Sequence, residues 1–117
     1  MDIIFLHGLK VDTVIGIWDW ERKIRQAVVI DLEMGADIAK AAASDRVEDT
    51  LNYKLVAKRL QQFVGDAEFQ LVETLAEKVA QLILDEFAVP WLRLKLNKCG
   101  AIRGASGVGI VIERGKK

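Results

Sequence analysis

The chain is expected to fold as an α+β domain, with two helices on one face of a four-stranded, mostly antiparallel sheet in the order ββααββ. Two stretches with alternating apolar residues open the chain, at residues 2–17 and 26–36, and two more close it, at 91–98 and 108–114. Between them lie two stretches whose apolar residues recur at helical spacing. Strands gathered at both ends and helices in the middle, without βαβ alternation, favour one helical layer on one sheet. Nothing repeats internally and only two terminal lysines form a tail, so residues 1–117 read as one domain.

In the first strand Ile3, Phe5, His7, Leu9 and Val11 share one parity, and Gly16 suggests a bulge or bend near its end. His7 in that row is a packed or edge histidine, or a base without a visible partner. The turn Trp18-Asp19-Trp20-Glu21-Arg22-Lys23 leads into the second strand. There Val28, Ile30, Leu32 and Met34 face one way and Val29, Asp31, Glu33 and Gly35 the other, which predicts an antiparallel hairpin with one wetter face. Residues 39–49 are alanine-rich without a clean period and read as a connection with room for one helical turn.

Thr50 or Asn52 can cap the first long helix, whose inner face is expected to be Leu51, Leu55, Leu60 and Phe63 with Val56 and Val64, before Gly65-Asp66 ends it. The second runs from about Leu71 to Phe87, with Leu71, Leu75, Val79, Leu82 and Ile83 inward and Glu77, Lys78, Gln81 and Asp85 outward. Pro90 closes the turn into the third strand, where Leu92, Leu94, Leu96 and Lys98 share one face and Arg93, Lys95 and Asn97 the other. After Gly104-Ala105-Ser106-Gly107, the last strand carries Val108, Ile110 and Ile112 on one parity. The glycines at 104, 107 and 109 have a superficial likeness to a dinucleotide-binding loop, but that motif needs a helix after it and here a strand follows.

Composition narrows the function. Seventeen basic and seventeen acidic residues balance, and no basic run suggests a nucleic-acid partner. The apolar fraction is 51%, yet no stretch approaches the ~20 apolar residues that span a bilayer. The N-terminus lacks the features of a signal peptide, so a cytoplasmic protein without membrane partners is expected. One histidine and one cysteine exclude an intramolecular disulfide and a zinc site of three His or Cys ligands from one chain. A chain of this size encloses a pocket with difficulty and often borrows walls from a neighbour.

Four residues carry candidate chemistry, each beside a plainer reading. Lys98 ends an apolar row: it is a snorkelling strand-end lysine or a lysine held in a pocket, where desolvation suits acid/base work. Glu21 lies beside two aromatics that shield a sheet corner, or is a carboxylate fixed by indole rings to bind a polar ligand. Glu73, in the first turn of the second long helix, compensates the helix dipole or grips a planar amidine-like edge with two parallel hydrogen bonds. Tyr53 lies off the inner face of the first long helix; it packs at an edge or offers its hydroxyl to a substrate oxygen.

Together with their surroundings, these residues carry a family resemblance. Thr13-Val14-Ile15-Gly16-Ile17-Trp18-Asp19-Trp20-Glu21, Leu51-Asn52-Tyr53, Phe69-Gln70-Leu71-Val72-Glu73 with Ala76-Glu77, Trp91-Leu92-Arg93-Leu94-Lys95-Leu96-Asn97-Lys98 and Gly107-Val108-Gly109-Ile110 occur in the order and spacing of dihydroneopterin aldolase, which the chain resembles over nearly its whole length. The resemblance implies the tunnelling fold, in which four subunits' sheets join into a barrel and two rings stack as an octamer, with active sites between subunits. It implies retro-aldol cleavage of 7,8-dihydroneopterin in tetrahydrofolate biosynthesis, with epimerisation at C2′ as a side reaction. No metal, cofactor or Schiff base is implied, because the substrate's own C6=N5 imine takes up the electrons. Glu73, with main-chain groups near Val72, would anchor the pterin, and Lys98 would donate and accept protons through a water. Tyr53 from a neighbouring subunit would shuttle protons, and Glu21 would orient Lys98, its water or the substrate hydroxyls.

The chain departs from the pattern at Lys98-Cys99-Gly100, where the family usually has Lys-Pro-Gly; losing the proline frees a backbone angle beside Lys98. A sister family, dihydroneopterin triphosphate epimerase, also lacks that proline, also has an Asn before the tyrosine, and has a counterpart of Ala101-Ile102-Arg103. The Trp20-Glu21 turn and the Gly107-Val108-Gly109 strand favour the aldolase. A non-catalytic pterin-binding oligomer is a third reading, opposed by the filling of all four site positions.

Overall fold

The computed structural model describes residues Met1–Lys117. Four strands, β1 (Asp2–Thr13), β2 (Gln26–Ala36), β3 (Trp91–Lys98) and β4 (Val108–Gly115), form one sheet in the order β1-β2-β3-β4, with every neighbouring pair antiparallel. Helices α2 (Tyr53–Asp66) and α3 (Val72–Phe87) cover one face, and a short α1 (Ala39–Ser44) with no buried residue lies in the connection before them. The expected ββααββ order holds, with α1 and two 3-10 turns, Glu21–Lys23 and Val47–Asp49, in the connections. No helix is long and apolar enough to cross a membrane.

The alternating rows of the two central strands supply the floor of the core. Val28, Ile30, Leu32 and Met34 from β2, with Leu92, Leu94 and Leu96 from β3, are completely buried. They meet Val56, Leu60 and Val64 of α2 and Leu75, Ala76, Val79, Ala80 and Ile83 of α3. Each large apolar side chain removed from water in this layer contributes about 1.5–3 kcal/mol. The opposite face of the sheet carries charge, including the Arg93–Glu33 ion pair at 3.2 Å across the β2–β3 ladder.

Two expectations of register and face are corrected. In β1 the pairing jumps from Leu6↔Leu32 to Leu9↔Ile30, so His7 and Gly8 oppose one residue of β2. Gly8 takes a left-handed φ of +74° and its N–H donates to Asp31 Oδ1 at 2.6 Å. An extra residue reverses the side-chain alternation, so Ile4 and Leu6 face the core before the bulge and Leu9 and Val11 after it. Ile3, Phe5 and His7 are exposed, with the Phe5 and His7 rings 4.7 Å apart. The bulge thus lies at Gly8 and the strand stops at Thr13, short of the expected Ile17.

In α2, Asn52 is the cap: its Oδ1 accepts from the N–H groups of Lys54 and Leu55 at 3.1 and 3.4 Å. With the helix phased this way the innermost line is Val56, Leu60 and Val64, and Leu55, one position round the helix, is exposed. Leu71 precedes α3 as its cap residue and is exposed as well.

The glycine spacing near the last strand answers to packing. A Cβ on Gly107 would lie 2.4 Å from Asn97 Oδ1, and one on Gly109 would lie 1.8 Å from the Leu96 carbonyl oxygen. By contrast, a Cβ on Gly8 meets nothing within 4 Å. Gly8→Ala is therefore expected to cost about 1 kcal/mol, from its left-handed backbone alone. Gly109→Ala should cost more, because β3 and β4 must separate to admit the methyl group. Urea unfolding of both variants checks the ranking, and equal losses or the reverse order would contradict it.

Candidate active site

β3 delivers Lys98 to the end of its buried row. Its backbone pairs with Val28 on one side and Val108 on the other, which fixes the strand end from both flanks. The side chain is 13% exposed, and Nζ donates to Glu21 Oε2 at 2.6 Å. Cys99, free and half-buried, follows directly. Even without the proline usual in the family, Lys98 is held by the two strand pairings and by the carboxylate.

Glu21 opens a 3-10 turn, Glu21–Lys23, and is the one charged residue among the buried side chains, at 5% exposure. It lies over Gly16, whose φ is +130° and where a Cβ would come within 2.2 Å of the carboxylate carbon. Glycine is needed there for both backbone and space. Glu21 Oε1 accepts from the Trp18 main-chain N–H at 3.3 Å, and Oε2 accepts from Gln26 Nε2 at 3.0 Å. The same Gln26 amide donates to the Ile15 carbonyl at 2.9 Å.

The hydrogen bond from Lys98 lowers the Glu21 pKa from 4.5 to about 2; Gln26, the Trp18 N–H and the charge of Lys98 add to this, against the opposing effect of burial. The carboxylate is thus an anion at neutral pH. Of the two readings of Glu21, fixing by indole rings is excluded: Trp18 and Trp20 are 61% and 60% exposed, and Lys98, Gln26 and a main-chain N–H hold the carboxylate. Gln26 was not visible as a site residue from sequence, where it is only a polar residue opening an apolar strand.

Glu73 and Val72 stand at the start of α3. Leu71 contributes no side-chain cap, and the first main-chain bond of the helix runs from the Leu75 N–H to the Leu71 carbonyl at 3.2 Å. The N–H groups of Val72, Glu73 and Thr74 are therefore left without partners in the helix. Glu73 is exposed and forms no ion pair within the chain. This helix start lies at the Lys98 end of the molecule. Thr13 Oγ1 donates to the Ala67 carbonyl at 3.0 Å, and Arg22 donates to the Phe69 carbonyl at 3.0 Å, tying the α2–α3 connection to the ends of β1 and the Glu21 turn.

Tyr53 lies at the other end. α2 runs from Tyr53 to Asp66, about 20 Å at 1.5 Å per residue. Its C-terminal end is the one near Lys98: the Gly65 carbonyl accepts from Arg25 at 3.0 Å, and Arg25 closely precedes the Val28 that pairs with Lys98. Tyr53 is exposed and borders a cavity of about 500 Å³ with Ile38, Val47, Leu51 and Lys54. Within one chain Glu21 and Lys98 meet, Val72 and Glu73 share their end of the molecule, and Tyr53 does not. His7 lies on the helix-free face beside Asp31, Glu33, Arg93 and Lys95. No three His, Cys, Asp or Glu side chains are grouped to hold a metal ion.

Comparison with known proteins identifies the family. A protein-family profile described as dihydroneopterin aldolase matches residues 4–113. The dihydroneopterin aldolase of Escherichia coli is 50% identical over 115 residues, covering 98% of this chain and 94% of the relative. The crystal structure of the E. coli enzyme in complex with neopterin superimposes with a TM-score of 0.96, covering 98% of this chain and 100% of that one. The E. coli dihydroneopterin triphosphate 2′-epimerase is 31% identical over 110 residues, covering 94% of this chain and 92% of the relative. The chain belongs to the dihydroneopterin aldolase family.

Proposed function

We propose that this protein cleaves 7,8-dihydroneopterin by a retro-aldol reaction to 6-hydroxymethyl-7,8-dihydropterin and glycolaldehyde, a step of tetrahydrofolate biosynthesis, without a metal and without a Schiff base. The observation that carries the reading is the buried Lys98–Glu21 pair at the same end of the molecule as an uncapped helix start with an unpaired carboxylate, Glu73. Glu73 would accept two parallel hydrogen bonds from the pterin N3–H and 2-amino group. The free N–H groups of Val72 and its neighbours would donate to the ring carbonyl oxygen.

With the ring so held, N5 and the side chain point to Lys98. A base removes the proton of the C2′ hydroxyl and the C1′–C2′ bond breaks. Its electron pair passes through C6 to N5, which takes a proton from Lys98 through a water, and C2′ leaves as the aldehyde carbon of glycolaldehyde. C1′ then takes up a proton and N5 returns one, restoring the imine. Because C6=N5 is itself the electron sink, no lysine–substrate imine is required. Rotation of the bound glycolaldehyde before release, so that C1′ adds to the opposite face of its carbonyl, gives the C2′ epimer as a side product. Glu21, an anion throughout, orients Lys98.

Tyr53 would complete this machinery from a second copy. β1 and β4 are the open edges of the sheet, and unpaired strand edges seek partners. Four copies closing edge to edge would form the barrel, and two rings an octamer, placing the Tyr53 end of one chain beside the Lys98 end of another. The epimerase reading draws on Cys99 and Ala101-Ile102-Arg103, but 50% identity to the aldolase against 31% to the epimerase favours the aldolase. A pterin-binding oligomer without turnover would be seen as ligand retention with no product.

Protein freed of metal by chelation and given 7,8-dihydroneopterin is expected to release glycolaldehyde and 6-hydroxymethyl-7,8-dihydropterin, resolved by chromatography. Inversion at C2′ alone, with preference for the triphosphate, would establish the epimerase instead.

Lys98→Ala should lower kcat by roughly 10²- to 10⁴-fold while pterin binding persists. Glu73→Ala should weaken pterin binding by roughly 10- to 100-fold first. The opposite pattern would reverse the two roles.

The depressed pKa of Glu21 makes a prediction about stability. Its contribution is fully present above the ordinary carboxylate value of 4.5 and is lost as pH falls toward about 2. The stability gap between the wild type and Glu21→Gln, from denaturant unfolding, should stay constant from pH 8 to pH 5 and shrink between 4.5 and 2. A gap that does not change through that window would show that the ion pair contributes nothing to folding.

A further inference from the structure

Arg22 follows Glu21 in sequence, yet its guanidinium reaches across to a different part of the chain. Nη1 donates to the carbonyls of Gly16 and Phe69, both at 3.0 Å, and Nη2 donates to the carbonyl of Glu68. One acceptor belongs to the glycine over which the Glu21 carboxylate lies. The other two belong to the irregular connection between α2 and α3, which leads through Leu71 into Val72 and Glu73. The main-chain carbonyls of such a connection have no ladder to join, and a planar fork of five donors is suited to gathering several of them. Nothing in the proton transfers described above uses Arg22.

We infer that Arg22 is a positioning residue that sets the spacing between the Glu21–Lys98 pair and the Glu73 carboxylate, and so the register of the pterin ring against Lys98. The inference rests on the functional reading above, in which Glu73 holds the ring and Lys98 acts on N5. Thr13 fastens Ala67 and Phe69 packs against the core, so removing the guanidinium leaves the connection held by these two and loosens its main chain at Glu68 and Phe69, on the α3 side. Glu73 then lies at the loosened end. A lysine at position 22 has a single nitrogen and cannot reach all three carbonyls in one plane.

The test is a double-mutant cycle on affinity for neopterin, read by pterin fluorescence, with Arg22→Gln, Glu73→Gln and the double variant. Arg22→Gln should weaken binding about 10-fold, since a displacement of the order of 1 Å costs up to ~100-fold. The same change made on top of Glu73→Gln should weaken binding no further, because the two act as one unit. A role confined to holding the fold predicts a lower Tm with unchanged affinity in the folded variant. That result, or equal weakening in both backgrounds, overturns the inference. Should Arg22→Gln fail to fold, Arg22→Lys keeps the charge and stem, loses the fork, and is expected to show the same non-additivity. A wild type that binds no neopterin would sink the functional reading itself, whereas a binding wild type with an indifferent Arg22→Gln sinks only this step.

Discussion

A carboxylate and an ammonium buried together at the end of a hydrophobic row are the constraint around which this end of the molecule is arranged. Removing either charge from water costs several kcal/mol, and their mutual attraction offsets that only when the geometry is close and the remaining lone pairs are satisfied. The surroundings of Glu21 meet both conditions. Lys98 Nζ is 2.6 Å away, Gln26 and the Trp18 N–H take up other acceptor sites, and Gly16 leaves the space. Each of these depends on a separate piece of chain. The strand β3 places the lysine, the start of β2 places the glutamine, and the bend after β1 places the glycine and the N–H.

The rest of the fold keeps those pieces still and leaves the neighbouring helix start open. β2 and β3 are central strands with completely buried inner rows, so the sheet end that carries Lys98 has little freedom. α3 begins nearby with no side-chain cap, and its N–H groups and Glu73 are left unpaired by the chain itself. Tyr53 is a helix length away. That separation is a property of topology: α2 must descend the sheet before α3 can ascend it, so the two helix starts fall at opposite ends. The proposed site, which draws on both starts, would be assembled from two copies.

What could be read from sequence follows the same physical lines. The row Leu92, Leu94, Leu96, Lys98 was legible because β3 runs without an insertion, so period two places every side chain correctly. β1 was not, because which glycine adds a residue to the ladder depends on its surroundings; Gly16, read as a bulge or bend, takes a positive φ in the bend after the strand, whereas the register shift lies at Gly8. Leu55 was misplaced because a helical stripe about 100° wide admits more than one phase, and the Asn52 cap settled which. Lys98 was visible as a cation in an apolar row, and Glu21 as an acid among aromatics. Their pairing spans 77 positions and left no local trace. Gln26 and Arg22 were invisible for the same reason, since both act through main-chain or side-chain atoms that only the folded topology brings near.

The energetics of the pair bear on why it is there. A buried ion pair is poor value as a source of stability, because apolar residues of similar volume commonly serve the fold equally well or better. The floor of this core is already apolar from Leu92 through Leu96, so a further leucine at position 98 would continue it without needing Glu21, Gln26 or the space over Gly16. The chain instead breaks its own pattern at the last residue of the strand and surrounds the break with four separate contacts. Under the proposed function, such an arrangement holds a lysine in a fixed, nearly dry position from which it acts on a bound molecule. The same reasoning extends to Arg22. Its three carbonyl acceptors lie in irregular chain on either side of the site, and fastening them fixes the distance from the Lys98–Glu21 pair to the start of α3.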